Sequence, residues 1–297
     1  MIWHEMIKIK KKQNTFIAWL KSIRLGKIMG LAAAVMIIRL SYWETFTAGR
    51  SSTWLFVIPV FFIAAGGAII NDYFDIKEDR AKRPQSARIG RVIKRRVAMM
   101  SHWVLTGLGL GVSVILSKQI DSLAPLIIAA TSALLIFLYS IWLKKKTVVG
   151  KLVLASIVSL IVPFALVDVN GVKVGDKYLW VCLFIFIIVF IRQISKELEV
   201  IDLDKSSGFQ TMPVVYGTRR SWLVIYATEV LLVFCTMYLT AYKPSEIFSS
   251  IIQSPFETFF LVTALATIYF SVRKNAPAVS AWLKLMLATG LISLVLV

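Results

Sequence analysis

Nine times along this chain the sequence returns to an apolar run of roughly 17–22 residues, the length an α-helix needs to cross the hydrocarbon of a bilayer. The runs lie near 26–43, 54–71, 97–117, 123–142, 150–169, 178–195, 222–241, 256–272 and 280–297. Inside lipid the backbone has no water to bond with, so each run predicts a helix that satisfies its own N–H and C=O groups. Composition agrees. Of 297 residues, 58% are hydrophobic and 17% charged, and the mean hydropathy is +0.76. A soluble domain of this size cannot bury that much apolar surface. The expected fold is an all-α integral membrane protein, with nine transmembrane helices in one bundle around a central cavity.

A net charge of +18 raises nucleic acid as a partner. The basic residues, however, sit in short stretches between the apolar runs, as membrane proteins distribute them, so the expected partner is the lipid bilayer and not nucleic acid. Of the 34 Lys and Arg, 27 fall on the side that holds the N-terminus and loops 72–96, 143–151, 192–220 and 273–274, and 5 on the other. Arg39 and Lys284 lie inside spans. The imbalance predicts a cytoplasmic N-terminus, an outer C-terminus and a multi-pass protein of the cell membrane. Cys182 and Cys235 lie in separate apolar runs and read as small buried hydrophobes. The first thirty residues lack an export-type run with its cleavage site, so no cleaved signal peptide is expected.

Residues 1–25 form a basic leader to the 26–297 bundle. Lys8, Lys10, Lys11 and Lys12 precede Phe16, Trp19, Leu20 and Ile23, an i, i+3, i+4, i+7 stripe. That stripe suits a short interfacial helix, and a merely basic leader is the plain alternative.

The chemistry concentrates in two acidic stretches on the basic side of the membrane. Residues 64–96 read AAGGAIINDYFDIKEDRAKRPQSARIGRVIKRR. In a helix, Asp72, Asp75 and Asp79 stack on one face, with Asn71 one turn before Asp75. Three acids at the mouth of a membrane helix repel one another and resist dehydration, so a cation should hold them. Magnesium takes oxygen ligands and bridges carboxylates to substrate phosphates. An acidic, solvated helix end is the plain alternative. The second stretch, 192–217, reads RQISKELEVIDLDKSSGFQTMPVVYG. Glu197 and Asp204 share a helical face and Asp202 points away, while Gly208 and the Pro213 region break the segment. At the end of the fourth run stand Tyr139, Ser140, Leu143 and Lys144–Lys146, which read either as topology anchors or as a phenol and a cation aimed at a phosphate.

Taken together, these stretches resemble the UbiA superfamily of intramembrane prenyltransferases. Asn71-Asp72-Tyr-Phe-Asp75-Ile-Lys-Glu-Asp79 fits its NDxxDxxxD signature, and the likeness continues through Tyr139-Ser140-x-x-Leu143-Lys144 and Asp204-x-x-x-Gly208-x-x-Thr211-Met-Pro213. The phrases AAGGAIINDYFDIK and IGRVIKRRVAM look most like the branch that prenylates a glycerol-phosphate ether lipid precursor.

The resemblance implies a magnesium-dependent transfer of a long isoprenyl group from a prenyl diphosphate to a lipid-soluble or membrane-surface acceptor, with release of pyrophosphate on the cytoplasmic face. It implies Asp72, Asp75 and Asp204 as catalytic residues and Asp72, Asp75, Asp79, Glu197 and Asp204 as metal ligands. Asn71, Arg83, Tyr139 and Lys144 would bind substrate, and side chains such as Phe61, Phe62 and Phe137 would line an apolar cavity. No protein nucleophile is required, so His4 and His102 read as incidental.

The chain departs from the family pattern at four places. Lys27 and Lys151 stand where asparagines are usual, Lys82-Arg83-Pro84 replaces NRP or NKP, and Val200 stands where DxxxD places an aspartate. Glu197 is the available substitute ligand. A quinone-ring or aromatic-acid acceptor, and a non-catalytic lipid-binding relative, remain open alternatives.

Overall fold

The structure, a computed structural model, describes residues 15–41, 53–82, 87–168, 171–172, 176–241 and 255–296. A short helix α1 (Thr15–Ile23) leads into α2 (Leu25–Ser41) through Arg24, whose φ of +59° makes the corner. Helix α3 (Thr53–Phe74) runs into α4 (Ile76–Lys82), and α5 (Arg95–Gln119) and α6 (Ala124–Ile141) follow. A 3₁₀ turn (Leu143–Lys145) precedes α7 (Val149–Ser159) and α8 (Ile161–Ala165). Beyond them come α9 (Asp176–Glu199), α10 (Ile201–Ser206), α11 (Met212–Tyr216), α12 (Thr218–Ala241), α13 (Pro255–Val272) and α14 (Ala276–Leu296).

Each of the nine apolar runs coincides with helix among the described residues. Five of these helices, α3, α5, α6, α9 and α12, are long and apolar enough to cross a bilayer. The fifth run departs from the expectation of one continuous helix. Proline has no N–H and crowds the carbonyl four residues before it, so Pro163 stops α7 at Ser159. The chain restarts as α8 and then closes a two-residue antiparallel hairpin, β1 (Val167–Asp168) with β2 (Gly171–Val172).

The main core joins α2, α3, α7–α9 and α12–α14 through Val35, Phe56, Val162, Ile188, Ile191, Ile225 and Leu283. Helices α3 and α5 cross closely because each offers a glycine. A Cβ on Gly66 would stand 2.7 Å from Thr106 Oγ1, and one on Gly109 would stand 2.7 Å from Ile63 Cγ1. A second, smaller cluster of Ala18, Ile69, Ile76, Ile89, Ile93 and Ala98 seats α1 and α4 on the end of α3, with Trp19 and Ile23 packed against it. Outward-facing residues such as Trp54, Leu134, Val230 and Leu265 are large and apolar, as a lipid-facing surface requires.

Arg39 is a fully buried charge within an apolar helix. It is 1% exposed, donates to the carbonyls of Ala165 (2.8 Å) and Val167 (3.2 Å), and lies 3.6 Å over the Phe56 ring. It satisfies carbonyls left without helical partners at the end of α8.

Candidate active site

The first acidic stretch sits where α3 gives way to α4. Asp75 forms the joint, and the bonds Asp75 N–H to Asn71 O (3.0 Å) and Asp79 N–H to Asp75 O (2.8 Å) carry the helical register across it. Asp72 and Asp75 are buried, and Asp79 is half-buried on α4. Arg24 Nη2 donates to Asp72 Oδ1 at 2.7 Å. Asn71 Nδ2 donates to Asp75 Oδ2 at 2.8 Å, and Lys144 Nζ, from the 3₁₀ turn, donates to the same oxygen. Buried carboxylates need such partners, since burial without a counter-charge is costly.

The second stretch is broken at Val200 (φ −115°, ψ 20°), between α9 and α10. Asp204 is 1% exposed, whereas Asp202 is exposed. Glu197 Oε1 lies 2.8 Å from Lys151 Nζ, and its Oε2 accepts from the Met212 N–H at 3.0 Å. Lys151 also donates to the Thr147 carbonyl, and its own carbonyl accepts from Gln193 Nε2 at 3.1 Å. Past Asp204 the chain turns through Gly208, and it leaves α11 through Gly217. Their φ values of +73° and +85° are ones that glycine adopts without strain.

Both stretches reach one polar cavity of about 790 Å³, whose walls include Glu78, Tyr139 and Lys144 on one side and Lys151, Glu197, Val200 and Asp204 on the other. Tyr139 lies within electrostatic reach of both Asp75 and Glu197. A separate apolar cavity of about 90 Å³ lies among α2, α3, α6 and α7–α8, bordered by Leu31, Pro59, Ile63, Ile136 and Phe164. Phe61, Phe62 and Phe137 do not border it, a correction to the expected lining. Phe61 and Phe62 meet edge to face at 5.7 Å, and Phe137 stacks on His102 at 5.8 Å. His102 in turn bonds the Gly66 carbonyl at 3.1 Å, a packing role.

The structure therefore gathers Asn71, Asp72, Asp75, Tyr139, Lys144, Glu197 and Asp204 at neighbouring positions. Arg83 lies outside the described residues. Two partners went unassigned in the sequence, Arg24 and Lys151. The usable signals were the position of Arg24 in RLGK and the departure at Lys151.

Among the described residues no three acidic, histidine or cysteine side chains converge to cage a cation. The donor chemistry nonetheless differs between the two halves. Asp72 and Asp75 offer oxygen ligands, and their basic partners have side chains 42% (Arg24) and 30% (Lys144) exposed, free to swing aside. That half fits a hard divalent ion. Both oxygens of Glu197 are instead held within the protein, one of them by a lysine whose side chain is 5% exposed. That half does not fit in the same way.

A model of the UbiA prenyltransferase family matches residues 29–287, and the chain belongs to that family, whose membrane fold and apolar helices make it a multi-pass membrane protein. Curated relatives include digeranylgeranylglyceryl phosphate synthases. The one from Methanobrevibacter smithii is 29% identical over 184 residues, covering 62% of this chain and 64% of the relative. The one from Thermococcus sibiricus is 30% identical over 172 residues, 58% of each. These matches thus span less than two thirds of either relative. The Sulfolobus acidocaldarius synthase is 29% identical over 226 residues, 73% of this chain and 76% of the relative. Among solved structures, one of digeranylgeranylglyceryl phosphate synthase superposes with a TM-score of 0.70 at 24% identity, over 95% of this chain and 98% of that one. A UbiA homologue from Archaeoglobus fulgidus bound to DMAPP and Mg2+ superposes at 0.63 with 16% identity, over 93% and 99%. At these identities the two structures show the shared fold.

Proposed function

We propose that the chain is a prenyltransferase that moves a long isoprenyl group from a prenyl diphosphate to a phosphorylated, membrane-associated acceptor. The glycerol-phosphate ether lipid precursor of its named relatives is the favoured acceptor. The observation that carries the reading is the meeting of Tyr139 and Lys144, the partner of Asp75, with the Asp204 segment around one polar cavity at the ends of apolar helices.

Asp72, Asp75 and Asp79 are the residues that would hold magnesium, an ion with which a homologue of the same fold was solved. When bound, the ion neutralises diphosphate oxygens and stabilises the departing pyrophosphate. The chain's own residues do the rest. Arg24 and Lys144 leave the carboxylates and turn to the diphosphate, and Tyr139 orients it. The helix walls keep water from the allylic carbon as its C–O bond breaks and the electron pair leaves with pyrophosphate. The acceptor hydroxyl then attacks that carbon and releases its proton.

An anionic acceptor is supported by a group of cations from three helices. Lys27 and Lys196 each lie within electrostatic reach of the other, of Arg192 and of Lys284. The Asp72 carboxylate is the one acid within reach of Lys27, and no salt bridge within 4 Å engages any of the four among the described residues. Such a group repels itself until an anion joins it. Nine spans, a cytoplasmic cavity mouth and residence in the cell membrane complete the reading, resting on the charge imbalance between the two sides. The test is purified protein in detergent with labelled geranylgeranyl diphosphate, magnesium and a panel of acceptors. Prenylation of the glycerol-phosphate lipid is expected. No pyrophosphate release with any acceptor, where a sister enzyme turns over, would refute the proposal.

A further inference from the structure

Lysine 151 is the most deeply buried ammonium beside the cavity, with 4% of the residue exposed, and it faces the place where the second acidic stretch lacks a carboxylate. We infer that its ammonium is a resident cation that stands in for a second divalent ion. On this inference, which rests on the donor-site reading above, the α9–α10 side of the cavity holds a diphosphate with a lysine, and the chain binds one divalent ion per donor.

Three observations converge. First, Val200 occupies the joint between α9 and α10 and lines the cavity between Glu199 and Asp204, so at the joint itself the wall presents a methyl pair and not a carboxylate. Second, Glu197, the carboxylate one turn earlier, is not available as a replacement. Lys151 Nζ lies 2.8 Å from Oε1 and the Met212 N–H takes Oε2 at 3.0 Å. Its role is to hold the lysine, and the single negative charge is matched by the single positive one.

Third, the lysine is fixed in a way that the cations of the first stretch are not. Its side chain is 5% exposed, against 42% for Arg24 and 30% for Lys144. Its ammonium donates to the Thr147 carbonyl as well as to Glu197, and its backbone carbonyl is tied to Gln193. An ammonium has three protons, and two of them are spent on these partners. The third is available to an oxygen in the cavity that Lys151 lines. A buried ion pair of this kind is expensive to break and acts as a built-in charge. A metal, by contrast, must be recruited from solution for each charge it supplies.

The test counts metal directly. Full-length protein in detergent, saturated with non-cleavable geranylgeranyl thiolodiphosphate, is titrated with Mn2+ and the bound ion is read by electron paramagnetic resonance. One Mn2+ per chain is expected, rising to two in the Lys151→Asn/Val200→Asp variant, where Glu197 is released and a carboxylate restored. Two ions in the wild type would overturn this inference and leave the donor-site reading standing. None would overturn both. A variant that unfolds at the wild-type temperature yet still binds one ion would also overturn it.

A second measurement does not depend on that variant folding. With chelator present, inorganic pyrophosphate should still raise the wild-type unfolding temperature. The shape-conserving Lys151→Met/Glu197→Gln pair, which removes both charges together, should weaken that metal-free binding by about tenfold, the worth of one charged hydrogen bond. Unchanged pyrophosphate affinity in the pair would count against the lysine.

Discussion

The position of the Lys144 turn can be tested without touching a charged residue. Gly150, in the first turn of α7, packs against the backbone of the Leu143–Lys145 turn. A Cβ there would meet the Leu143 carbonyl oxygen at 2.7 Å, the Lys144 Cα at 3.1 Å and the Lys144 carbonyl oxygen at 3.2 Å. All three are backbone atoms, so no side chain can rotate away. Restoring an ordinary contact of 3.4 Å to the carbonyl requires a retreat of about 0.7 Å. The turn that carries the Asp75 partner must make most of that movement. Overpacking of this kind costs about 1–3 kcal/mol. A misplacement near 1 Å at a reacting site can lower the rate on the order of a hundredfold, so Gly150→Ala should reduce kcat/KM by about ten- to a hundredfold. The assay is pyrophosphate release with labelled donor, run beside thermal unfolding in the same detergent. Gly107→Ala is the control, because its Cβ meets nothing within 4 Å and the change favours helix by about 0.5–1 kcal/mol. Wild-type kcat/KM in Gly150→Ala, or an equal loss in Gly107→Ala, would refute the reasoning.

Asp75→Asn should abolish turnover while the protein unfolds near the wild-type temperature; near-normal activity would remove Asp75 from the site. Chelation with EDTA should stop turnover and added Mg2+ should restore it, an effect read by pyrophosphate release. Lys284→Ala should raise KM for a phosphorylated acceptor several-fold and leave KM for the donor alone, so equal changes in both would contradict the acceptor assignment. Arg39→Met should cost about 3 kcal/mol or more, because two carbonyls and the buried Asp168 lose a charged neighbour. An unchanged unfolding temperature would dismiss that account.

Local features of this fold were readable from the sequence, and contacts between distant segments were not. Length and hydropathy marked every apolar run that became helix, and helical spacing put Asp204 inward and Asp202 outward. The split of the fifth run was also within reach, since Pro163 stands in it, yet Pro59 lies inside α3 without ending it. Tertiary packing decides between such cases. The partners of the acids were beyond reach. Arg24 and Asp72 are 48 residues apart and Lys144 and Asp75 are 69 apart, and periodicity says which residues share a face, not which helices touch. The misplaced aromatics have a related cause. In a helix that is apolar all round, the pattern does not mark the inward side, so Phe61, Phe62 and Phe137 could not be sorted from Phe164.

The departures from the family pattern gain meaning when they are counted as charge. Lysine for asparagine at 27 and at 151, and valine for aspartate at 200, each shift the site by one unit in the positive direction. A site that held its divalent ions and also gained three positive charges would repel itself strongly before any diphosphate arrived. Pairing relieves part of this, because Glu197 absorbs Lys151, and Lys27 lies within electrostatic reach of Asp72. The remainder is relieved if one recruited ion is dropped, which removes two units at once. A fixed ammonium also differs from an ion in its kinetics. It cannot leave with pyrophosphate, so charge that assists departure of the leaving group goes on attracting it afterwards. Product release should therefore weigh more heavily in turnover here than in the Lys151→Asn/Val200→Asp variant. A burst of prenylated product in quenched first turnovers, with no burst of released pyrophosphate, would reveal it.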